Sequence, residues 1–96
     1  MNAEEVAARS PAIDWVVSGG EAVLYDHRTG DLHVLDASGT AIWLACDGEA
    51  SLGEIAGSLA SETGAPLAVV RADVLGFAAR LATLCALDGQ QQVYPR

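Results

Sequence analysis

The chain has 96 residues and a formal net charge of −8, with 13 acidic side chains, five arginines and no lysine. This length fits one small domain, and 51% hydrophobic residues are too many for a disordered acidic tail. Proteins that bind nucleic acid phosphates or anionic membranes need clustered basic side chains, so this charge balance argues against both classes.

The first eleven residues are predicted to be a flexible N-terminus. They carry Glu4 and Glu5 and no apolar run, so they are not a signal peptide. No stretch of the chain approaches the roughly 20 apolar residues of a membrane span. Cys46 and Cys85 lie far apart, without the spacing of a metal site or a redox pair. This indicates free thiols in a reducing cytoplasm.

Residues 12–88 are predicted to form the folded domain, which begins with an alternating pattern typical of short strands. Gly19-Gly20 supplies a tight turn between the first two strands, and Asp26–Gly30 forms a second hairpin loop. The sequence therefore predicts a three-stranded antiparallel meander, with strands in the runs Ile13–Val17, Ala22–Tyr25 and Asp31–Leu35.

From Asp36 onward the apolar pattern is helical. Asp36 or Ser38 is predicted to cap a first helix that ends at Asp47-Gly48. A capping box at Ser51–Glu54 begins a second helix that ends at Gly64, and Pro66 suits the first turn of a third. The third helix has apolar residues at three- and four-residue steps: Val70, Val74, Phe77, Leu81 and Leu84.

Residues 89–96 are predicted to be a polar C-terminal tail. The predicted fold class is therefore α+β, in which a three-stranded antiparallel meander precedes three helices in a winged-helix-turn-helix-like order.

No catalytic or metal constellation is predicted. A nucleophilic cysteine would need Cys46 or Cys85 beside His27 or His33, with a third group orienting the base. Both cysteines instead lie on helical segments among small apolar residues. The cysteines and histidines lack the paired spacing of a zinc site, and no phosphate loop with its lysine is present. We predict no enzyme activity, no metal and no cofactor.

The third strand is the feature most suggestive of binding. His33 is expected to face solvent because it points away from Leu32 and Val34 on the strand. If Asp31–Leu35 is the edge of the meander, it has unpaired amides and carbonyls and neither lysine nor proline to protect them. An edge strand beside an apolar helix can accept an extended peptide as another strand.

Several short motifs occur here in a specific order over about residues 13–87. They are the run from Val23 to Trp43, then Cys46-Asp47-Gly48, then Ser51–Ile55, and finally Asp73-Val74 with Phe77 and Leu81. Their order and spacing resemble the PqqD-like family, the precursor peptide recognition elements of RiPPs (ribosomally made, post-translationally modified peptides). The chain departs from the family's usual Leu-Asn at Leu35-Asp36, where Asp is an equally good helix cap.

Two groups of residues resemble different subfamilies. Thr29-Gly30 and Ala41-Ile42-Trp43 are most similar to the stand-alone proteins of lasso peptide pathways. Cys46-Asp47-Gly48 is more similar to the protein of the PQQ cofactor pathway. The resemblance favours the lasso type.

The resemblance implies a non-catalytic domain that binds the leader segment of a precursor peptide as an extra strand. Such a domain delivers the peptide to a modifying enzyme or leader peptidase of the same pathway. The leader-binding residues carried over to this sequence come from the third strand and the third helix: Asp31, Leu32, His33, Val34, Leu35, Val70, Arg71, Asp73, Val74 and Phe77. Arg71 would pair with a leader carboxylate or be solvated.

Three alternatives remain open at the level of sequence. A winged-helix DNA-binding regulator fits the helical order, but a recognition helix with Arg71, Asp73 and Arg80 has little net positive charge. An enzyme would use Cys46 or Cys85. A structural or oligomerising domain would bury residues 70–77 in a self-interface. If a leader is bound, the many carboxylates predict that it is neutral or basic.

Overall fold

The computed structural model describes residues 1–84 and 86–88. Cys85 and the predicted polar tail, residues 89–96, lie outside the described residues. The elements in chain order are β1 (Val6–Arg9), β2 (Ile13–Ser18), β3 (Glu21–Asp26), β4 (Leu32–Leu35), α1 (Ala37–Ala45), β5 (Asp47–Ser51), α2 (Leu52–Thr63), α3 (Leu67–Thr83) and β6 (Leu87–Asp88).

The predicted meander is present as an antiparallel sheet in the order β2-β3-β4. A two-residue turn joins β2 to β3, and both of its residues have positive φ, 62° at Gly19 and 82° at Gly20. Glycine adopts positive φ readily because it has no Cβ, and the twist of such a turn matches that of the strands it connects. The α+β class, with a meander before three helices, is confirmed.

The helix boundaries follow the local signals. The Asp36 carboxylate caps α1 by accepting from the Gly39 amide at 2.8 Å. Ser51 and Glu54 form both hydrogen bonds of a capping box at the start of α2, and Gly64 ends that helix in the left-handed conformation. Pro66 precedes α3 as its N-cap and does not lie in its first turn.

A second antiparallel sheet, in the order β5-β1-β6, was not predicted. The expectation of a flexible segment at residues 1–11 is wrong for Val6–Arg9, which forms the central strand of this sheet, with Ala7 fully buried. The N-terminus is held further by the Leu52 amide, which donates to the Glu5 carbonyl at 2.9 Å. Residues from two distant parts of the chain, 47–52 and 87–88, therefore order a segment that has no strand pattern of its own.

One core joins the inner face of the meander to the three helices. Trp43 of α1 is its largest fully buried side chain, and the ring of Trp15 meets it edge to face at a centroid distance of 6.2 Å. The other large side chains that are fully buried come from β3, α2, α3 and the C-cap of α1: Leu24, Leu52, Val74, Leu81 and Cys46. α1 packs against β3 and β4, α3 packs on α1 and α2, and β4 is left at the edge of the meander.

Asp26 links the stability of this fold to pH. Its carboxylate accepts from Arg28 Nε and Nη2, both at 3.0 Å, and these side-chain hydrogen bonds hold the pKa of Asp26 below its usual value. A lowered pKa stabilises the folded state at pH values above the ordinary pKa, and this contribution is lost as pH falls through the lowered value.

We therefore expect Asp26→Asn to lower the urea midpoint at pH 7, with a difference from the parent that closes below about pH 4. Urea unfolding followed by circular dichroism between pH 7 and pH 2.5 measures this. Glu62→Gln, at an exposed carboxylate that forms no ion pair with another described residue, is the control. An Asp26→Asn deficit that stays constant across this range would contradict the prediction.

Candidate functional site

A groove of about 820 Å³ lies between β4 and α3 and is also lined by the start of α1. It is open to solvent along the edge of the meander. Its lining comes from β4 (Leu32, His33, Val34 and Leu35), from α1 and its cap (Asp36, Ser38, Gly39 and Ile42) and from α3 and its C-cap (Ala72, Asp73, Gly76, Phe77, Arg80, Leu81 and Leu84).

The hydrogen bonds of the hairpin determine which main-chain groups of β4 face the open edge. The Asp26 amide donates to the Asp31 carbonyl at 2.9 Å, so this opposed pair is hydrogen bonded. Bonded and non-bonded pairs alternate along an antiparallel ladder. In the register of β3 and β4, His33 then bonds to β3, whereas the amides and carbonyls of Leu32 and Val34 point away from it.

Thr40 provides an independent check on this register. Its hydroxyl accepts from the Ala22 amide at 2.8 Å and donates to the Leu35 carbonyl at 3.3 Å. Ala22 and Leu35 are opposed residues, and the hydroxyl bridges their main-chain groups where a direct bond would lie. This placement confirms that Leu35 faces β3 and that Val34 faces the open edge.

The side chains of β4 are oriented opposite to expectation. Leu32 and Val34 are 64% and 67% exposed on the outer face of the sheet, whereas His33 is half-buried. His33 is paired with fully buried Leu24, so both side chains lie on the face toward the helices. The prediction that His33 faces solvent is therefore wrong: His33 lines the groove.

Phe77 forms the apolar wall of the groove where α3 approaches α1. A Cβ on Gly39 would lie 2.7 Å from Phe77 Cζ, so the absence of a side chain at Gly39 allows the ring to pack against α1. The Arg80 guanidinium lies over the same ring, with its carbon 5.2 Å from the centroid. The ring thus has a helix on one side and a cation on another.

This contact predicts a specific coupling between two positions. The methyl of Gly39→Ala forces the Phe77 ring aside at a cost of about 1–3 kcal/mol, whereas replacing glycine within a helix gains up to about 1 kcal/mol. We therefore expect a net loss of stability of up to about 2 kcal/mol. In a Phe77→Leu background, which lacks the far ring atoms, the same substitution is expected to cost less. Urea unfolding of the four combinations gives the coupling energy. Equal costs in both backgrounds would contradict the packing described here.

The structure brings together only part of the predicted site. Leu32, His33, Val34, Leu35, Asp73 and Phe77 all line the groove. Val74 is fully buried in the core and does not line the groove, so the groove gives no support to its predicted contact with a leader. Asp31, Val70 and Arg71 are not among the groove-lining residues.

Sequence reasoning missed Gly39, Gly76 and Arg80 as groove residues. Arg80 could have been predicted from Phe77, because residues three positions apart on a helix lie on the same face. Part of the apolar stripe of α3 faces the core. Choosing site residues by their apolar character therefore selected Val74, which is buried, and omitted Arg80, which lines the groove.

The described thiol is unsuited to nucleophilic catalysis. Cys46 is fully buried, and this desolvation raises the pKa of its thiol to about 11, so it stays protonated at neutral pH. The described part of the chain holds no group of three His, Cys, Asp or Glu side chains able to bind a metal ion. Within residues 1–84 and 86–88, no helix has the length and apolar character needed to cross a membrane.

Comparison with known proteins identifies two solved structures with this fold. One is TbiB1 in complex with the TbiA(beta) leader peptide, with 27% identity and a TM-score of 0.79 over 88% of this chain and 99% of that one. The other is a lasso peptide synthetase B1 complexed with its leader peptide, with 19% identity and a TM-score of 0.77 over 86% of this chain and 98% of that one.

No functionally curated protein matches the sequence. The family model for coenzyme PQQ synthesis protein D (PqqD) matches residues 21–87, which run from β3 to the start of β6 and include every groove-lining element. The chain belongs to the PqqD family.

Proposed function

We propose that this protein binds the leader segment of a ribosomally made precursor peptide as an added strand on β4. It then delivers the peptide to a modifying enzyme or leader peptidase of the same pathway. The observation that carries the proposal is the open edge of β4 beside an apolar groove, where Leu32 and Val34 present their amides and carbonyls. The similarity to TbiB1, whose structure contains a bound leader peptide, supports leader binding by this protein.

In this mode of binding the peptide contacts both walls of the groove, β4 through its main chain and α3 through its side chains. The main chain of the peptide would bond to Leu32 and Val34, with each hydrogen bond contributing about 1 kcal/mol. Alternate side chains of the added strand point to opposite faces. One set would enter the groove toward Phe77 and Asp73, and the other would lie beside the exposed Leu32 and Val34 side chains.

The pathway is proposed to be that of a lasso peptide, because Thr29-Gly30 and Ala41-Ile42-Trp43 resemble the stand-alone proteins of those pathways and a lasso peptide synthetase B1 shares this fold. In this role the protein is a non-catalytic partner, with no cofactor or metal of its own. We place it in the cytoplasm, where precursors are translated and where thiols such as Cys46 stay reduced.

A DNA-binding regulator has no support from the site. The charged side chains of the groove are two carboxylates, Asp36 and Asp73, and one guanidinium, Arg80, beside His33. Phosphate recognition requires a concentration of positive charge. The same groove suits a peptide main chain, for which an open edge matters more than net charge.

Fluorescence polarisation tests the proposal directly. The probe is the labelled leader half of a short precursor peptide encoded beside this gene, and the labelled core half and a DNA duplex are controls. We expect saturable binding of the leader alone, at roughly micromolar affinity or tighter. Absence of leader binding by a protein with the native circular dichroism spectrum would contradict the proposal, as would preferential binding of the duplex.

A further inference from the structure

The groove has one charge of each sign on the same wall. Asp73 and Arg80 both line it from α3, and both side chains are exposed. They are seven residues apart, which is two turns of helix and about 10.5 Å along its axis. The two charges therefore lie at separate points along the groove, on one face of α3.

Both charges are available to a ligand. Asp36, the other groove carboxylate, is used to cap α1 through the Gly39 amide. Among the described residues, no ion pair involves Asp73 or Arg80. The Arg80 guanidinium is held over the Phe77 ring, a contact that orients it without neutralising it. Arg71, the arginine expected at this site, does not line the groove.

We infer that this pair selects leader peptides by charge and register. The bound segment carries an acidic side chain opposite Arg80 and a basic side chain opposite Asp73. This inference rests on the proposed function, because it assumes a peptide added as a strand on β4. It replaces the expectation of a leader that is simply neutral or basic, since the groove is polarised along its length.

The geometry of a strand fixes the spacing of the two peptide residues. Side chains that face the same wall are separated by an even number of residues, about 6.6 Å for two and about 13 Å for four. The distance between Asp73 and Arg80 along the helix is about 10.5 Å, which lies between these two values. The charged residues of the peptide are therefore expected two or four positions apart.

A charge-exchange experiment tests the inference. The protein variant is Asp73→Lys/Arg80→Glu, and the probes are the leader half of the precursor encoded beside this gene and the same peptide with its acidic and basic residues exchanged. We expect the variant to bind the native leader at least tenfold more weakly and to regain that affinity for the exchanged leader. The control, Ser58→Glu/Glu62→Lys, also places one charge of each sign on one helix face, at exposed positions of α2 outside the groove. It should bind the native leader normally.

The outcomes separate this inference from the proposed function. If the parent protein binds the native leader, but the groove variant binds both leaders as the parent does, the charge inference is wrong and the proposed function stands. A groove variant that loses both leaders equally also overturns the charge inference. So does tight binding of a leader that has no acidic and basic residues two or four positions apart. If the parent binds no leader, strand addition itself fails and the inference fails with it.

Discussion

Val34→Pro is expected to lower the affinity for the leader peptide at least tenfold while leaving the fold intact. The Val34 amide points to the open edge of β4, so proline removes a donor that only an added strand would use. Losing one such main-chain bond, with an acceptor of the peptide left unsatisfied, costs about 1–3 kcal/mol, and 1.4 kcal/mol is tenfold in affinity. The Val34 side chain is 67% exposed, so little packing is lost.

The other edge of the same sheet offers a matched control. Glu21 and Ser18 are opposed across the two-residue turn, so alternation along β2 directs the Val17 amide away from β3. Val17→Pro therefore removes an outward amide on β2, far from the groove, and is expected to leave leader affinity unchanged. Fluorescence polarisation and circular dichroism of both variants make the comparison. Unchanged binding by a folded Val34→Pro protein would refute strand addition on this edge.

Short-range signals predicted the meander and the helices. Gly19-Gly20, the Asp36 cap, the Ser51–Glu54 capping box and Gly64 each act within a few residues, and each occurs as expected. The second sheet could not be predicted in this way. Val6–Arg9 has no alternating pattern, and it is ordered by β5 and β6, which are about 40 and 80 residues further along the chain.

The candidate site was predicted at the level of elements and less well at the level of residues. The run Leu32–Leu35 has apolar residues on both faces of the strand, so sequence alone does not say which face meets the core. The hairpin register decides this by placing His33 opposite buried Leu24. On α3 the same ambiguity arises because a wide apolar stripe serves both the core, through Val74, and the groove, through Phe77.

Gly76 is the position where stability and binding are expected to change in opposite directions. It lies within α3, where glycine is about 1 kcal/mol less favourable than alanine or leucine. A Cβ at this position would have no heavy atom of the protein within 4 Å, so the fold does not require the glycine. Since Gly76 lines the groove, the space that it leaves is available to a peptide. We expect Gly76→Leu to raise the free energy of unfolding by about 0.5–1 kcal/mol and to block leader binding.

Gly57 isolates the effect of the groove from that of the helix. It lies within α2, a Cβ there would also have no heavy atom within 4 Å, and it is not a groove-lining residue. Gly57→Leu should therefore stabilise the fold by a similar amount and bind the leader like the parent, as measured by urea unfolding and fluorescence polarisation. If Gly76→Leu is stabilised and still binds the leader normally, the peptide does not pass over this part of α3. A helix glycine with open space above it would then have no role in binding, and the β4 edge alone would have to account for recognition.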